Sequence, residues 1–335
     1  MKKKMILFFV ILLVLVFIVS ACEQYIGQKI DNFEVEQPKY QGYIIEFKDK
    51  PLIEKKVELE NSQMVLMRDD IEQINIQLDD YYDELISQHN ENKSAFSKRI
   101  DDFDSKITGE YFKTFNGISL DINEEELNKI KGLPNVKNIY LNYEVNINAE
   151  RERLPIDERI PLIDENLDWP LEITNVKDVW DLGYTGEGIT IAIIDTGIDP
   201  NHKDLRGKVI EEHCFSNSNE CPNGESEQHG EGAGMDDNGH GTHVAGIAAG
   251  NLFGVAINAN LISIKMLNSQ GHGYNSDILN SVELSVDPDN DGNFEDHYNI
   301  ISMSLGYRGG NPNDAPDAIA VDNAVDVGVT VVISA

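Results

Sequence analysis

Two short stretches carry residue types suited to proton-transfer chemistry. The first, Ile191-Ala192-Ile193-Ile194-Asp195-Thr196-Gly197, is an apolar, mostly β-branched run that ends in an acid. Such a run reads as a buried parallel strand with a carboxylate at its C-terminal edge. The second, His240-Gly241-Thr242-His243-Val244-Ala245-Gly246, reads as a tight glycine turn feeding a small-residue helix that starts at a histidine. An acid and an imidazole presented this way supply two of the three groups of a Ser-His-Asp site. The serine has to be sought elsewhere.

Each of these residues has another reading when taken alone. Asp195 is also what an ordinary strand end looks like. Asp-Thr-Gly after an apolar strand occurs in pepsin-like proteases too, where two aspartates share a proton. That chemistry needs an all-β chain and a second Asp-Thr-Gly, and this sequence has no second copy. His240 and His243, three apart, have the types of a zinc pair, but no His-Glu-x-x-His accompanies them.

The elements that must position Asp195 and His240 alternate. Residues 176–182 read as a short helix, and 183–188 as a turn into the strand 191–195. Residues 261–266 then read as strand, 275–286 as helix, 299–305 as strand, 314–327 as helix and 329–334 as strand. Pro316 in the first turn of the last helix and Gly328 past its end follow the usual asymmetry of helix termini. The alternation predicts a parallel sheet with helices on both faces and sites at the strand C-terminal ends.

Upstream, residues 41–149 form a pattern of their own. Residues 43–47 read as a strand ended by Pro51, and 61–107 as one long helix or two, broken near His89-Asn90. Strands at 111–115 and 117–122, a helix at 124–131 and a strand at 136–147 complete it. Strand, helix, two strands, helix, strand is a ferredoxin-like α+β order. That fold decides no function by itself.

Composition narrows the classes. A length of 335 residues suggests two or three domains, and 41% hydrophobic residues are enough for packed cores. A formal net charge of −32 and the lack of a basic stripe exclude nucleic acid as a partner. Of the three cysteines, Cys214 and Cys221 share a Gly/Asn/Ser-rich loop and could form a local bridge in an exported chain. Lys2, Lys3 and Lys4 before an apolar run at 5–19 make an export signal, too short for a bilayer span. Val19-Ser20-Ala21-Cys22 resembles a bacterial lipobox. It implies a signal peptide over 1–22, lipid on Cys22, and an extracytoplasmic chain held to the membrane through a tether at 23–40.

Taken together, 191–200 and 237–250 resemble the Asp and His signatures of the subtilisin-like serine proteases, peptidase family S8. Supporting matches are 183–188, Asn201-His202-Lys203-Asp204-Leu205, Gly271-His272-Gly273 and Ile301-Ser302-Met303-Ser304-Leu305-Gly306. The resemblance implies a serine endopeptidase in which Asp195 orients the imidazole and His240 is general base, then acid. His243 would be structural, packed behind the site. Gly271 and Gly273 would form one rail for an extended peptide, and Ser304, Leu305 and Gly306 the other rail with the specificity pocket. Ser302 stands where the family commonly has Asn. Residues 41–149 likewise resemble the inhibitor I9-type propeptide of these proteases, on 43–50 and Phe115-Asn116-Gly117-Ile118. By that resemblance they help the protease fold, and their tail lies in the cleft until cut. Residues 150–175, charged and punctuated by Pro155, Pro161 and Pro170, read as a linker holding the processing point.

Asp287-Pro288-Asp289-Asn290-Asp291-Gly292 offers alternate carboxylates and a glycine turn, the front half of a calcium loop. Asp296, with Glu295, could complete a structural Ca2+ site. The twelfth position is Tyr298, which rules out an EF-hand. A solvated acidic loop is the alternative. Asp204 sits where relatives often place another calcium ligand.

No serine stands in a Gly-Thr-Ser-Met-Ala context and no Gly-x-Ser-x-Gly occurs. The run Thr330-Val331-Val332-Ile333-Ser334-Ala335 stops where the family continues into Gly-Asn, the oxyanion donor. Residues 176–335 are therefore expected to be a catalytic domain cut short before its nucleophile. The competing expectation is a non-catalytic pseudoprotease, a peptide-binding or inhibitor-like scaffold.

Overall fold

A computed structural model describes residues 39–62, 68–147, 171, 173–307 and 315–334. The export signal, Cys22, most of the tether and nearly all of the linker lie outside them. Among the described residues no helix is long and apolar enough to cross a membrane.

The upstream module is a four-stranded antiparallel sheet. Its strands are β1 (Tyr40–Phe47), β2 (Ile107–Tyr111), β3 (Gly117–Leu120) and β4 (Val136–Asn146), in the order β2-β3-β1-β4. That is the ferredoxin-like arrangement. Between β1 and β2 run α1 (Leu52–Ser62) and α2 (Arg68–Ser97). The helix α3 (Glu124–Ile130) starts at a capping box, with the Asn123 side chain and the Glu126 carboxylate each bonding the other's backbone N–H.

Three details differ from the sequence pattern. Helix begins at Leu52, directly after Pro51, rather than near residue 61. The helix α2 runs unbroken through His89, because His89 is buried with Nε2 2.7 Å from Asn116 Oδ1 and its ring packed on Phe47 and Phe112. The strand expected at 111–115 ends at Tyr111, since the next N–H groups turn to a carboxylate described below.

The downstream module is built on a six-stranded sheet. Its strands are β5 (Thr190–Asp195), β6 (Val209–Phe215), β7 (Glu227–His229), β8 (Asn260–Lys265), β10 (Ile300–Met303) and β11 (Thr330–Ile333). The order is β11-β10-β5-β8-β6-β7, parallel except for the antiparallel edge strand β7. A short helix α4 (Val176–Asp181) leads in. Period-two alternation along β5 sends Ala192 and Ile194 to one face and Ile191 and Ile193 to the other. The first face packs on α6 (Asn275–Val286) and α7 (Pro316–Asp326), through Ile278, Val282, Ala320 and Ala324. The second packs on α5 (His240–Ala249), through Ala245 and Ala249. Burial on both faces is why β5 reads as a continuous apolar run. The edge strand β7 and the three-residue β9 (His272–Tyr274) were too short and polar to be legible in the sequence.

The upstream sheet lies on α6, and one apolar cluster runs through both modules, from Ile44 and Tyr111 to Ile278 and Leu279. Polar contacts fix the register. Glu283 Oε2 accepts the N–H groups of Phe112 and Lys113, at 3.1 and 3.0 Å, and Oε1 those of Thr114 and Phe115, at 2.5 and 3.3 Å. The Lys113 ammonium sits 2.7 Å from the fully buried Asp287 carboxylate. Asn323 Nδ2 donates to the Thr114 carbonyl at 2.7 Å.

Candidate active site

Asp195 ends β5 at the C-terminal edge of the sheet and is completely buried. Its Oδ1 lies 2.7 Å from His240 Nδ1 and accepts the Thr196 N–H at 2.7 Å, and its Oδ2 lies 3.0 Å from the same ring nitrogen. A carboxylate only accepts, so Nδ1 carries hydrogen and Nε2 is left to act as base. The hydrogen bond from Asp195 raises the His240 pKa above the ordinary imidazole value, against desolvation. The charges of Asp195 and Asp236 add to the rise.

The approach of α5 to β5 depends on Gly241. A Cβ there would lie 2.1 Å from the Gly197 carbonyl oxygen, so only glycine lets the helix start close enough for His240 to reach Asp195. The helix start is held by Asp236, which sequence reasoning passed over. Its Oδ1 accepts the N–H groups of Asn238 and Gly239 and the Thr196 hydroxyl, each at 2.9 Å. Its Oδ2 accepts the Thr242 N–H at 3.0 Å. Burial pushes the Asp236 carboxyl up, but these donors, Gly239 first, outweigh it and hold the group below its usual range. An Asp six residues before a Thr, across a glycine turn, was the available signal.

Lys265, also unflagged by the sequence, ends β8 with its ammonium buried. It donates to the Thr196 carbonyl at 3.0 Å, the Leu267 carbonyl at 2.9 Å and Asp237 Oδ1 at 2.6 Å. It therefore ties the segment after Asp195 to the segment before His240.

Beside this pair lies a strand from the other module. Residues 144–146 of β4 pair antiparallel with β9, as Glu144↔Tyr274, Val145↔Gly273 and Asn146↔His272. On the opposite side Asn146 and Gly306 exchange both N–H···O bonds, each 2.9 Å. The Ile147 N–H then donates to the Gly271 carbonyl at 3.2 Å. Val145 is fully buried. Gly271, Gly273 and Gly306 thus flank residues 145–147 on two sides. Ser304 and Leu305 lead into Gly306, with Leu305 buried and its carbonyl accepting the Ser334 hydroxyl at 3.0 Å. Antiparallel to β9, the segment runs toward the loop 268–271, which Asn238 holds through a 2.9 Å bond to the Ser269 carbonyl.

His243 departs from expectation. It is exposed on α5 rather than packed behind the pair, because the two-residue step of helix from it to the sheet-facing Ala245 turns it by about 200°. Of the five aspartates expected near a cation, the structure gathers Asp287, Asp289 and Asp296, with one oxygen of each within 4.8 Å of the others. Asp291 stays outside that group, its Oδ1 accepting the Asn293 N–H at 2.7 Å. Asp204 stands apart, its Oδ1 accepting the Leu252 N–H at 2.7 Å beyond the end of α5. Cys214 and Cys221 form a disulfide, with Cα atoms 5.8 Å apart.

The geometry defines a class: an α/β protein with a buried Asp bonded to a half-buried His at the sheet edge, and an α+β module whose last strand is seated beside it. Comparisons with known proteins agree. The subtilase family model matches residues 186–335 and the peptidase inhibitor I9 model residues 42–148. The chain belongs to the subtilisin-like serine proteases and carries an inhibitor I9 segment ahead of its subtilase segment.

Among similar proteins, the minor extracellular protease Vpr of Bacillus subtilis (strain 168) is 31% identical over 240 residues, 68% of this chain and 27% of its own length. The serine protease AprX of the same strain is 32% identical over 237 residues, 67% of this chain and 46% of its own. The major intracellular serine protease of that strain is 34% identical over 197 residues, 56% of each. The chain spans about a quarter to just over half the length of these relatives.

Proposed function

We propose that the protein is the precursor of a serine endopeptidase that cleaves peptide bonds through an acyl-enzyme. In this reading Asp195 holds and stabilises the His240 imidazole, which takes the proton of a serine and returns it to the leaving amine. The observation that carries it is the pairing of a 2.7 Å Asp195–His240 contact with a peptide segment held on both sides at the same cleft. Residues 144–147 would occupy the cleft as an intramolecular inhibitor, with substrates later adding as a strand to the same rails. The relatives include proteases named as extracellular and as intracellular, so they leave the compartment open. Export and lipid anchoring through Cys22 rest on the N-terminal sequence and remain part of this proposal.

Fluorophosphonate labelling of the full-length protein tests the reading. Labelling that His240→Ala abolishes is the expected result. Absence of labelling together with retained peptide binding would support the non-catalytic scaffold instead.

The acidic loop after α6 is proposed as a structural calcium site held by Asp287, Asp289 and Asp296. Three hard carboxylate oxygens within 4.8 Å fit such an ion. Burial, then the charges of Asp289, Asp287 and Asp291, raise the Asp296 pKa, a crowding that a cation would relieve. Calcium at a hundredfold its dissociation constant should stabilise the chain by about 2.7 kcal/mol. Thermal melts with calcium and with chelator measure this, and Asp289→Ala should remove most of the difference.

A further inference from the structure

The hairpin formed by β6 and β7 makes the edge of the sheet, with β6 separated from β5 by β8, and it carries two histidines in addition to the Asp–His pair. His213 and His229 are directly opposed residues of the antiparallel pair, so their side chains share one face. Their Nδ1 atoms are 2.7 Å apart. The outer nitrogens meet carboxylates from the same strands, two residues away. His229 Nε2 lies 2.6 Å from Glu227 Oε1, and His213 Nε2 lies 3.5 Å from Glu211 Oε2. Glu211 is steadied by the Tyr298 hydroxyl, which donates to it at 2.6 Å.

Hydrogen-bond bookkeeping leaves one atom unsatisfied. A carboxylate only accepts, so His229 bears its hydrogen on Nε2 and offers a bare Nδ1. His213 must then donate from Nδ1, which leaves its own Nε2 bare. That buried nitrogen has no hydrogen-bond partner, though a carboxylate stands in front of it. Two lone pairs facing each other are the wrong pairing for a buried imidazole.

We propose that His213 and His229 form a binding site for a divalent transition-metal ion of the zinc class, bound through both Nδ1 atoms. The ion takes the place of the hydrogen between the rings. The proton leaves His213 Nδ1 and reappears on Nε2, so no net proton is lost from that ring. His213 Nε2–H can then donate to Glu211, as His229 Nε2–H already does to Glu227. Each ligating imidazole thereby gains an outer carboxylate, the arrangement that fixes the tautomer and strengthens metal-bound histidines.

Zinc–nitrogen bonds of about 2.0–2.1 Å require the two Nδ1 atoms to open to roughly 3.3 Å in a tetrahedral site. The move is small for His229, whose side chain is 47% exposed on the sheet's edge strand. Water would complete the coordination on the solvent side. Imidazole donors favour zinc, copper and nickel over calcium, which keeps this site distinct from the carboxylate loop. Bound metal would clasp the hairpin closed beyond the Cys214–Cys221 disulfide, just before the segment that leads to His240.

The test uses the untagged 335-residue chain, stripped with chelator and returned to excess calcium so that the carboxylate loop is filled. Titration with Zn2+ by calorimetry should show one ion per chain, and Co2+ should develop an absorption band from nitrogen ligation. His229→Asn should weaken zinc binding at least tenfold, and Glu227→Gln about tenfold through the outer hydrogen bond. Zinc should raise the melting temperature of the native chain but not of His229→Asn, whose metal-free melt should match the native one. Zinc uptake that is absent in excess calcium, or that is unchanged in His229→Asn, would overturn the proposal.

Discussion

Replacing Glu283 with alanine is expected to destabilise the chain by about 3–5 kcal/mol and to loosen the upstream module from α6. Glu283 is only 8% exposed, and it alone receives the N–H groups of Phe112, Lys113, Thr114 and Phe115. Those groups sit between β2 and β3 and have given up ladder hydrogen bonds to reach it. A buried N–H left without an acceptor costs about 1–3 kcal/mol, and water entering the vacated space offsets part of the sum. The loss falls on the contact between modules, because α6 itself keeps all its backbone bonds. Denaturation of the intact chain should show the lower midpoint, and limited proteolysis should open the 112–116 segment first. A variant as stable and as resistant as the native chain would contradict this assignment of the carboxylate.

The largest effect on chemistry is expected from Asp195→Asn. With the carboxylate gone, His240 loses the hydrogen bond that dominates its upward pKa shift, and its titration should fall toward or below the ordinary value. Imidazole NMR on the chain itself reads this directly. The sign for stability follows. A histidine whose folded pKa is raised adds stability that is fully present below its unfolded pKa of about 6.5. That stability is lost as the pH climbs through the higher folded value. The native chain should therefore lose stability across that window, and Asp195→Asn should lose much less there. On the proposed endopeptidase reading, kcat should fall by about 10⁴, the size seen when the acid of a Ser-His-Asp site is amidated and the imidazole tautomer is no longer held. An unchanged His240 titration would show that the 2.7 Å contact does not govern the imidazole.

Both predictions concern residues that the sequence exposes very unequally. Asp195 and His240 were legible because each lies within a few residues of its own structural signal. An apolar run ends at one, and a glycine turn opens onto the other. Most of the strand-and-helix order of both modules was legible for the same reason, since period and punctuation are local, but β6, β7, β9 and the helix at Leu52–Ser62 were not. The acidic loop was legible too, in which Asp287, Asp289 and Asp296 converge while Asp291 turns outward.

What tertiary structure decided lies wherever a partner is remote. The strand expected at 111–115 stops at Tyr111 because a carboxylate about 170 residues downstream competes for its N–H groups. The helix break expected at His89-Asn90 is absent because Asn116 and two aromatic rings bury that histidine. His243, expected behind the site, faces outward because the phase of α5 is set by Gly241 against β5. Lys113, Lys265 and the His213–His229 pair carry no local signature at all. Their roles are fixed by desolvation and by acceptors brought in from other strands, terms that vanish in an extended chain. The sequence alone thus determined that an acid and a base stand at the ends of a strand and a helix. Only packing determined that they meet, and that the chain's own β4 is the peptide lying beside them.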